Sequence, residues 1–121
     1  LPRNMKIIRQ STWPMRPEVD LLTRDLQGKT WAPMSLVNDV ATGLAAIGLD
    51  VQQSKTYALH PATQAWRWSS AHADQTLCIE IRRDVLVRRF ALLEPMQSDL
   101  EKVAAVSKPI ATAIDSWLAA R

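Results

Sequence analysis

The chain has 121 residues, of which 47% are hydrophobic and 22% are charged, and its formal net charge is +3. This length fits one domain or part of one, and folding at this size buries roughly two-thirds of the surface of the unfolded chain. The composition excludes a disordered or collagen-like protein, and no apolar run approaches the ~20 residues that span a bilayer. We therefore expect a globular piece of mixed α/β structure with no membrane partner.

Cysteine usage and charge narrow the class of protein further. The single cysteine, Cys78, has no partner for an internal disulfide, which favours a reducing compartment and predicts a cytoplasmic protein. Basic residues outnumber acidic ones by only 15 to 12 and form no dense block, so no nucleic-acid partner is expected. With only three glycines, the chain lacks a glycine-rich loop for a phosphate.

The predicted elements begin after an irregular lead-in over residues 1–17, which contains three prolines. Residues 18–24 are apolar in the middle and predict a buried strand. Pro33 then opens a helix over 34–47, whose apolar residues recur at the three- and four-residue spacing of one helix face. Residues 49–53 predict a second strand. Strand, helix and strand within about 36 residues indicate a βαβ unit with parallel neighbouring strands.

The next part of the chain predicts a long connection and a third strand. Residues 54–75 form the connection, with one or two helical turns after Pro61. Residues 76–83 alternate with strand periodicity, and both faces suit burial as far as Glu80, so we expect a central strand. The fold class predicted is α/β, with a βαβ unit plus this central strand in a mixed sheet flanked by helices.

The last part of the chain predicts one more helix. Residues 84–93 fit either a continued strand or a short helix. Ser98 and Glu101 form an S-x-x-E capping box at the start of a helix over 98–120. Pro109 should kink that helix or split it in two.

Glu80 is the sharpest chemical signal in the sequence. A carboxylate near the middle of a buried strand is costly unless it is paired, bound to a metal, or working as an acid or base. A salt bridge to Arg82, two residues along the same strand face, is one explanation. Catalysis is the other, because Glu80 lies near the C-terminal end of its strand, where open α/β sheets build their sites. The residues alone leave both explanations open.

Other chemistry-bearing residues indicate less. His60 and His72 lack the spacing of a zinc site, which usually takes three protein ligands, so we expect local hydrogen bonds and no metal site within this chain. Cys78 shares a strand face with Glu80, which argues against a nucleophilic role. A basic surface with Trp66 could contact an anionic partner. Its other members are Arg67, Trp68, Arg82, Arg83, Arg88 and Arg89.

The string Cys78-Ile-Glu80-Ile-Arg82-Arg83-Asp84-Val-Leu86 resembles a known signature. The pattern Glu-(Ile/Leu)-Arg-x-Asp-Leu after an apolar strand is similar to the one near the C-terminus of the N-formylglutamate amidohydrolase family. A related Glu-Leu-Arg-Asp string occurs in zinc carboxypeptidases, whose fold that family is thought to share. The upstream order of strand, helix, Gly48-Leu-Asp-Val51 and Thr56-Tyr57-Ala-Leu-His60-Pro61 agrees, so the resemblance runs from about residue 17 to the end.

The resemblance implies a fold and an activity. Residues 18–121 would be the C-terminal part of an amidohydrolase-like α/β domain with a zinc-hydrolase-like fold. Its substrate would be a small carboxylated amide, an N-acyl amino acid similar to N-formylglutamate. The family's zinc ligands lie upstream of the matching region, so zinc is implied as a cofactor whose ligands lie outside this chain. The missing N-terminal half would be the partner that supplies them.

The resemblance also implies roles for three residues. Glu80 would be the general base and acid, Arg82 would orient Glu80 or bind a substrate carboxylate, and Tyr57 would belong to the substrate loop. Lys55-Thr56 and His60-Pro61 stand where the family tends to carry Asn and a glycine-rich stretch. The alternative, from a different class, is a non-catalytic binding or assembly module for an anionic partner.

Overall fold

A computed structural model of the chain describes residues 16–91 and 93–121. The predicted lead-in over 1–17 lies outside these residues except for its last two. The described part is mixed α/β, and its strands are β1 (Val19–Leu22), β2 (Val51–Gln53) and β3 (Cys78–Ile81). Its helices are α1 (Met34–Ala46), α2 (Gln64–Ala71) and α3 (Leu100–Ala119), with a short 3-10 turn over Arg83–Val85.

The strands form one mixed sheet in the order β2–β1–β3. β1 and β2 are parallel, with Val19 opposite Val51, and α1 connects them, which confirms the predicted βαβ unit. β3 runs antiparallel to β1 and places Glu80 opposite Asp20. The prediction of β3 as the central strand was wrong. The central strand is β1, which is buried along its whole length, whereas β3 is half-buried with one exposed residue. A polar residue at alternate positions, as at Glu80, is typical of a strand with one solvated face.

The core lies between one face of the sheet and the helices α1 and α3. α1 buries the predicted apolar face and ends at Ala46. Gly48 follows two residues later with a φ of +92°, a left-handed conformation that glycine favours after a helix. The core members from β1 and α1 are Val19, Leu21, Leu36, Val37, Val40 and Leu44. Val106 and Ala113 of α3 complete the contact. No helix within residues 16–91 and 93–121 is long and apolar enough to cross a bilayer.

The N-cap of α3 lies one residue later than the sequence predicts. It is Asp99, whose carboxylate accepts hydrogen bonds from the backbone N–H groups of Glu101 and Lys102 at 3.0 and 3.2 Å. The expected capping by Ser98 was therefore wrong. Asp caps as well as Ser does, and its negative charge interacts favourably with the positive end of the helix dipole. Ser98 instead pairs in a single β-bridge with Val87.

Pro109 lies inside α3, which continues unbroken through it from Leu100 to Ala119. Of the two expected effects, a kink or a split, the split does not occur. The proline packs against Gly43 of α1 so closely that a Cβ atom at position 43 would lie 3.0 Å from the Pro109 Cβ. The absence of a side chain at position 43 thus allows α1 and α3 to approach each other here.

Candidate functional site

The face of the sheet opposite α1 and α3 carries the polar strand residues. Strand alternation directs Asp20 to this face, because its neighbour Leu21 belongs to the core. Glu80 is the cross-strand partner of Asp20 and shares its face. α2 contacts the same face further along, where the Ser69 Oγ lies 3.9 Å from the Cys78 Sγ.

A cleft of about 240 Å³ opens on this polar face beside Glu80. Its walls combine carboxylate and guanidinium groups from segments that are distant in sequence. The lining residues are Arg16, Pro17, Asp20, Thr56, Glu80, Ile81, Arg82 and Arg83. The volume is below the roughly 300–1,000 Å³ of drug-sized ligand sites, so the cleft suits a small ligand.

Asp20 lines the cleft and holds the loop that forms one of its walls. Its side chain is buried, with only 2% of the residue exposed, and it accepts hydrogen bonds from the backbone N–H groups of Lys55 and Thr56 at 3.0 and 2.7 Å. Bonds from N–H groups to a carboxylate are stronger than neutral ones. They hold the loop after β2 folded back over the sheet, so that Thr56 lines the cleft.

Ser54 turns the chain back into this loop. It has a φ of +47°, a left-handed conformation that is uncommon for a non-glycine residue. Its hydroxyl accepts hydrogen bonds from the backbone N–H groups of Thr23 and Arg24 at 3.0 and 3.1 Å, which offset the strain. The sequence analysis missed Asp20, although a charged residue within the apolar run Val-Asp-Leu-Leu was a signal of the same kind as Glu80.

Glu80 is exposed, so the predicted burial of this residue was wrong. β3 is an edge strand, and the described residues leave the Glu80 side uncovered. It is the penultimate residue of β3, near the C-terminal end as expected, but β3 runs opposite to β1 and β2. That end therefore lies at the amino ends of the parallel strands, away from the edge where open α/β sheets build their sites. Within the described ranges, no basic side chain lies within 4.0 Å of the Glu80 carboxylate, so the ion pair with Arg82 does not form.

Arg82 instead clamps the segments around the cleft together. Its Nε and Nη2 donate to the two carboxylate oxygens of Asp84 at 2.7 and 3.0 Å, and its Nη1 donates to the backbone carbonyl of Arg16 at 2.7 Å. Glu18 lies 3.9 Å away as a second carboxylate. The hydrogen bond from Arg82 lowers the pKa of Asp84, and the same bond raises the pKa of Arg82. Arg82 lies in the cleft wall, but its fork faces Asp84.

Tyr57 reaches the cleft through Arg16. It follows the loop that Asp20 holds and is 42% exposed, and its ring centroid lies 5.3 Å from the guanidinium carbon of Arg16. This is the distance of a cation–π contact. Arg83 follows Arg82, is exposed, and lines the cleft. The structure therefore brings Glu80 and Arg82 into one cleft. Tyr57 does not line this cleft but contacts Arg16, which does.

The two histidines each form a local contact. His60 Nδ1 accepts a hydrogen bond from the backbone N–H of Ala62 at 3.0 Å, as expected, and His72 stacks on the 54%-exposed Trp68 with ring centroids 5.1 Å apart. Among the residues that the structure describes, no three His, Cys, Asp or Glu side chains are grouped closely enough to hold a metal ion. The described residues would therefore not hold a zinc ion on their own, and the resemblance places the zinc ligands outside this chain.

A scan of the sequence against protein-family models found no match, and searches of the curated proteins and of the solved structures found none either. The geometry of the cleft and the string around Glu80 are therefore the basis for assigning a function.

Proposed function

We propose that this chain is the C-terminal part of a zinc-dependent amidohydrolase that acts on an N-acyl amino acid similar to N-formylglutamate. Glu80 is its general base. The observation that carries the proposal is that Glu80, within the string that resembles the family, offers an exposed carboxylate to a cleft without an ion-pair partner among the described residues. A carboxylate of this kind is available to accept a proton.

The part assigned to this chain is proton transfer and substrate binding. The Glu80 carboxylate takes one proton from a water molecule as the water oxygen bonds to the amide carbon. It then returns that proton to the amide nitrogen as the C–N bond breaks, which leaves a carboxylic acid and an amine. The resemblance places the zinc ligands outside this chain, and the described residues form no metal site of their own. We expect the isolated chain to lack hydrolase activity.

Arg82 and Tyr57 support Glu80 indirectly in this proposal. Arg82 directly follows β3 and donates hydrogen bonds to Asp84 and to the backbone carbonyl of Arg16. These bonds fix the end of the strand that carries Glu80. Of the two roles that the resemblance implies for Arg82, orientation of Glu80 therefore fits its contacts better than a bidentate contact with substrate. Tyr57 holds Arg16 at the edge of the cleft.

A second candidate function is a non-catalytic module that binds an anionic partner. The observation that favours it is the arginine content of the cleft, to which Arg16, Arg82 and Arg83 contribute. The wider basic surface is less suited to the role, because Arg82 is occupied by Asp84 and Arg89 lies 3.9 Å from Glu94.

The variant Glu80→Gln in the full-length protein tests the proposal. Glutamine keeps the size of the side chain but cannot accept the proton, so amide hydrolysis should fall by about 10²–10⁴-fold. Thermal stability should barely change, because substitutions of exposed side chains without partners cost within about 0.5 kcal/mol. Glu101→Gln, at an exposed position of α3, is the matched control and should keep full activity. Normal turnover in Glu80→Gln would overturn the assignment of Glu80 and favour the binding module.

A further inference from the structure

We propose that Arg16 and Arg83 form an anion subsite of the cleft, which takes one carboxylate of a small ligand whose neutral N–H or O–H group faces Glu80. Its place beside the reacting group rests on the proposed function, whereas the binding itself requires no hydrolysis. The sequence analysis pointed to Arg82 for a carboxylate, and the contacts of the cleft point instead to the two other arginines.

The charges of the cleft divide into those already paired and those left for a ligand. The Arg82 fork is occupied by Asp84 and by the Arg16 carbonyl. The Asp20 carboxylate is occupied by two backbone N–H groups. Among the described residues, no carboxylate lies within 4.0 Å of the guanidinium groups of Arg16 and Arg83. The guanidinium groups of Arg16 and Arg83 therefore remain available to a ligand carboxylate in the same cleft as Glu80.

Arg16 is held in place before any ligand binds. Its carbonyl accepts the Arg82 Nη1 hydrogen bond at 2.7 Å, which fixes its backbone. Its guanidinium lies over the Tyr57 ring, and Tyr57 directly follows Thr56, whose N–H donates to Asp20 at 2.7 Å. A guanidinium has five N–H donors, so a contact with one aromatic ring leaves others able to donate to a ligand. A group ordered in advance loses less conformational entropy when a ligand binds.

Arg83, the residue after Arg82, provides the second guanidinium of the subsite. It is the first residue of the 3-10 turn after β3, and its backbone carbonyl accepts the hydrogen bond that closes this turn at Leu86. Arg82 fixes the same turn through Asp84, so the backbone that carries Arg83 is anchored at both ends. Because Arg83 lines the same small cleft as Glu80, a carboxylate bound there places the rest of the ligand next to Glu80.

Binding of two matched probes to the full 121-residue chain tests the subsite. N-acetylglycine carries one carboxylate and one amide N–H, and N-acetylglycinamide has the same shape without the charge. We expect N-acetylglycine to shift the NMR signals of the Thr56 and Glu80 backbone amides in a saturable way, and the neutral probe to leave them in place. Arg83→Ala and Arg16→Ala should each weaken the binding by about tenfold, the loss of one charge-assisted contact. Arg67→Ala, at an exposed position of α2 outside the cleft, is the control and should not change it.

Equal binding of the two probes would overturn the subsite, as would unchanged affinity in both cleft variants or no saturable binding to the native chain. The NMR spectrum of each variant shows whether it is folded, and Arg83, being exposed, is the substitution least able to disturb the fold. The result stands apart from the proposed function. Normal turnover in Glu80→Gln would overturn the assignment of Glu80 as the base without affecting the subsite. A failure of probe binding would overturn the subsite, and the role of Glu80 would still be tested by turnover.

Discussion

Asp20→Ala should be the most destabilising single change at the cleft. The substitution removes a buried carboxylate and leaves the backbone N–H groups of Lys55 and Thr56 without their acceptor. A hydrogen bond to a charged group contributes about 1.5–3 kcal/mol. Lys55 is exposed and Thr56 is half-buried, so water can reach the freed donors and the lower end of this range applies. For two bonds, we expect the free energy of unfolding to fall by about 3 kcal/mol.

Urea unfolding measures this loss, with the midpoint shifting and the slope unchanged. Asp20→Asn should lose about half as much, because its one side-chain oxygen still accepts one of the two bonds. Asp39→Ala, at an exposed position of α1, is the matched control and should stay within about 0.5 kcal/mol of the native chain. Amide hydrogen exchange at Lys55 and Thr56 should accelerate in Asp20→Ala. A stability loss no larger than that of the control would refute the role of Asp20 as the anchor of this loop.

Two further predictions concern pH and helix packing. The Arg82 hydrogen bond lowers the pKa of Asp84, so this stabilisation is full above the ordinary aspartate pKa of about 3.9 and is lost as the pH falls through the lowered value. Urea unfolding below pH 4 should therefore show a smaller loss of stability in Asp84→Asn than in the native chain, and equal losses would contradict the pairing. Pro109→Ala should raise the free energy of unfolding by about 1–2 kcal/mol, because it restores a backbone N–H that can bond within the helix. The greater flexibility of the unfolded chain offsets part of this gain. An unchanged or lower midpoint in thermal unfolding would contradict this expectation, and it would mean that the restricted unfolded chain and the packing of the proline ring outweigh the restored hydrogen bond.

Local patterns predicted most of the fold because they depend on neighbouring residues. The βαβ unit follows from the apolar spacing between residues 18 and 53, which needs no information on distant contacts. The position of β3 in the sheet is different. Apolar residues on both faces of 76–79 indicate burial, but whether a strand has one neighbour or two depends on which other strands are present. The same periodicity therefore fits a central strand and an edge strand.

The cleft was predicted in part. Glu80 lies near the end of a strand, as predicted. The salt bridge with Arg82, one of the two explanations that the sequence left open, does not form, because two residues share a face only while the strand continues. β3 ends at Ile81, and the chain enters a 3-10 turn that brings Asp84 to Arg82. Arg16 is distant from the Glu80 string in sequence, and its contact with Tyr57 arises only once Asp20 folds the intervening loop back.

Both candidate functions use Arg83 to bind an anion, but only the hydrolase needs a carboxylate at position 80. A module built only to bind a monoanion gains nothing from a carboxylate in the same cleft, because the like charge opposes the ligand. At about 6 Å in a water-like dielectric this repulsion is about 0.7 kcal/mol, or about threefold in affinity. Glu80→Gln should therefore bind N-acetylglycine about threefold more tightly while hydrolysis in the full-length protein is lost. Such a pair of results identifies a residue that weakens binding and is needed for the reaction, which is the behaviour of an acid–base group. Glutamine keeps an oxygen that can accept a hydrogen bond from the ligand. Weaker binding in Glu80→Gln would therefore mean that the negative charge of Glu80 itself favours the ligand, as in a binding module.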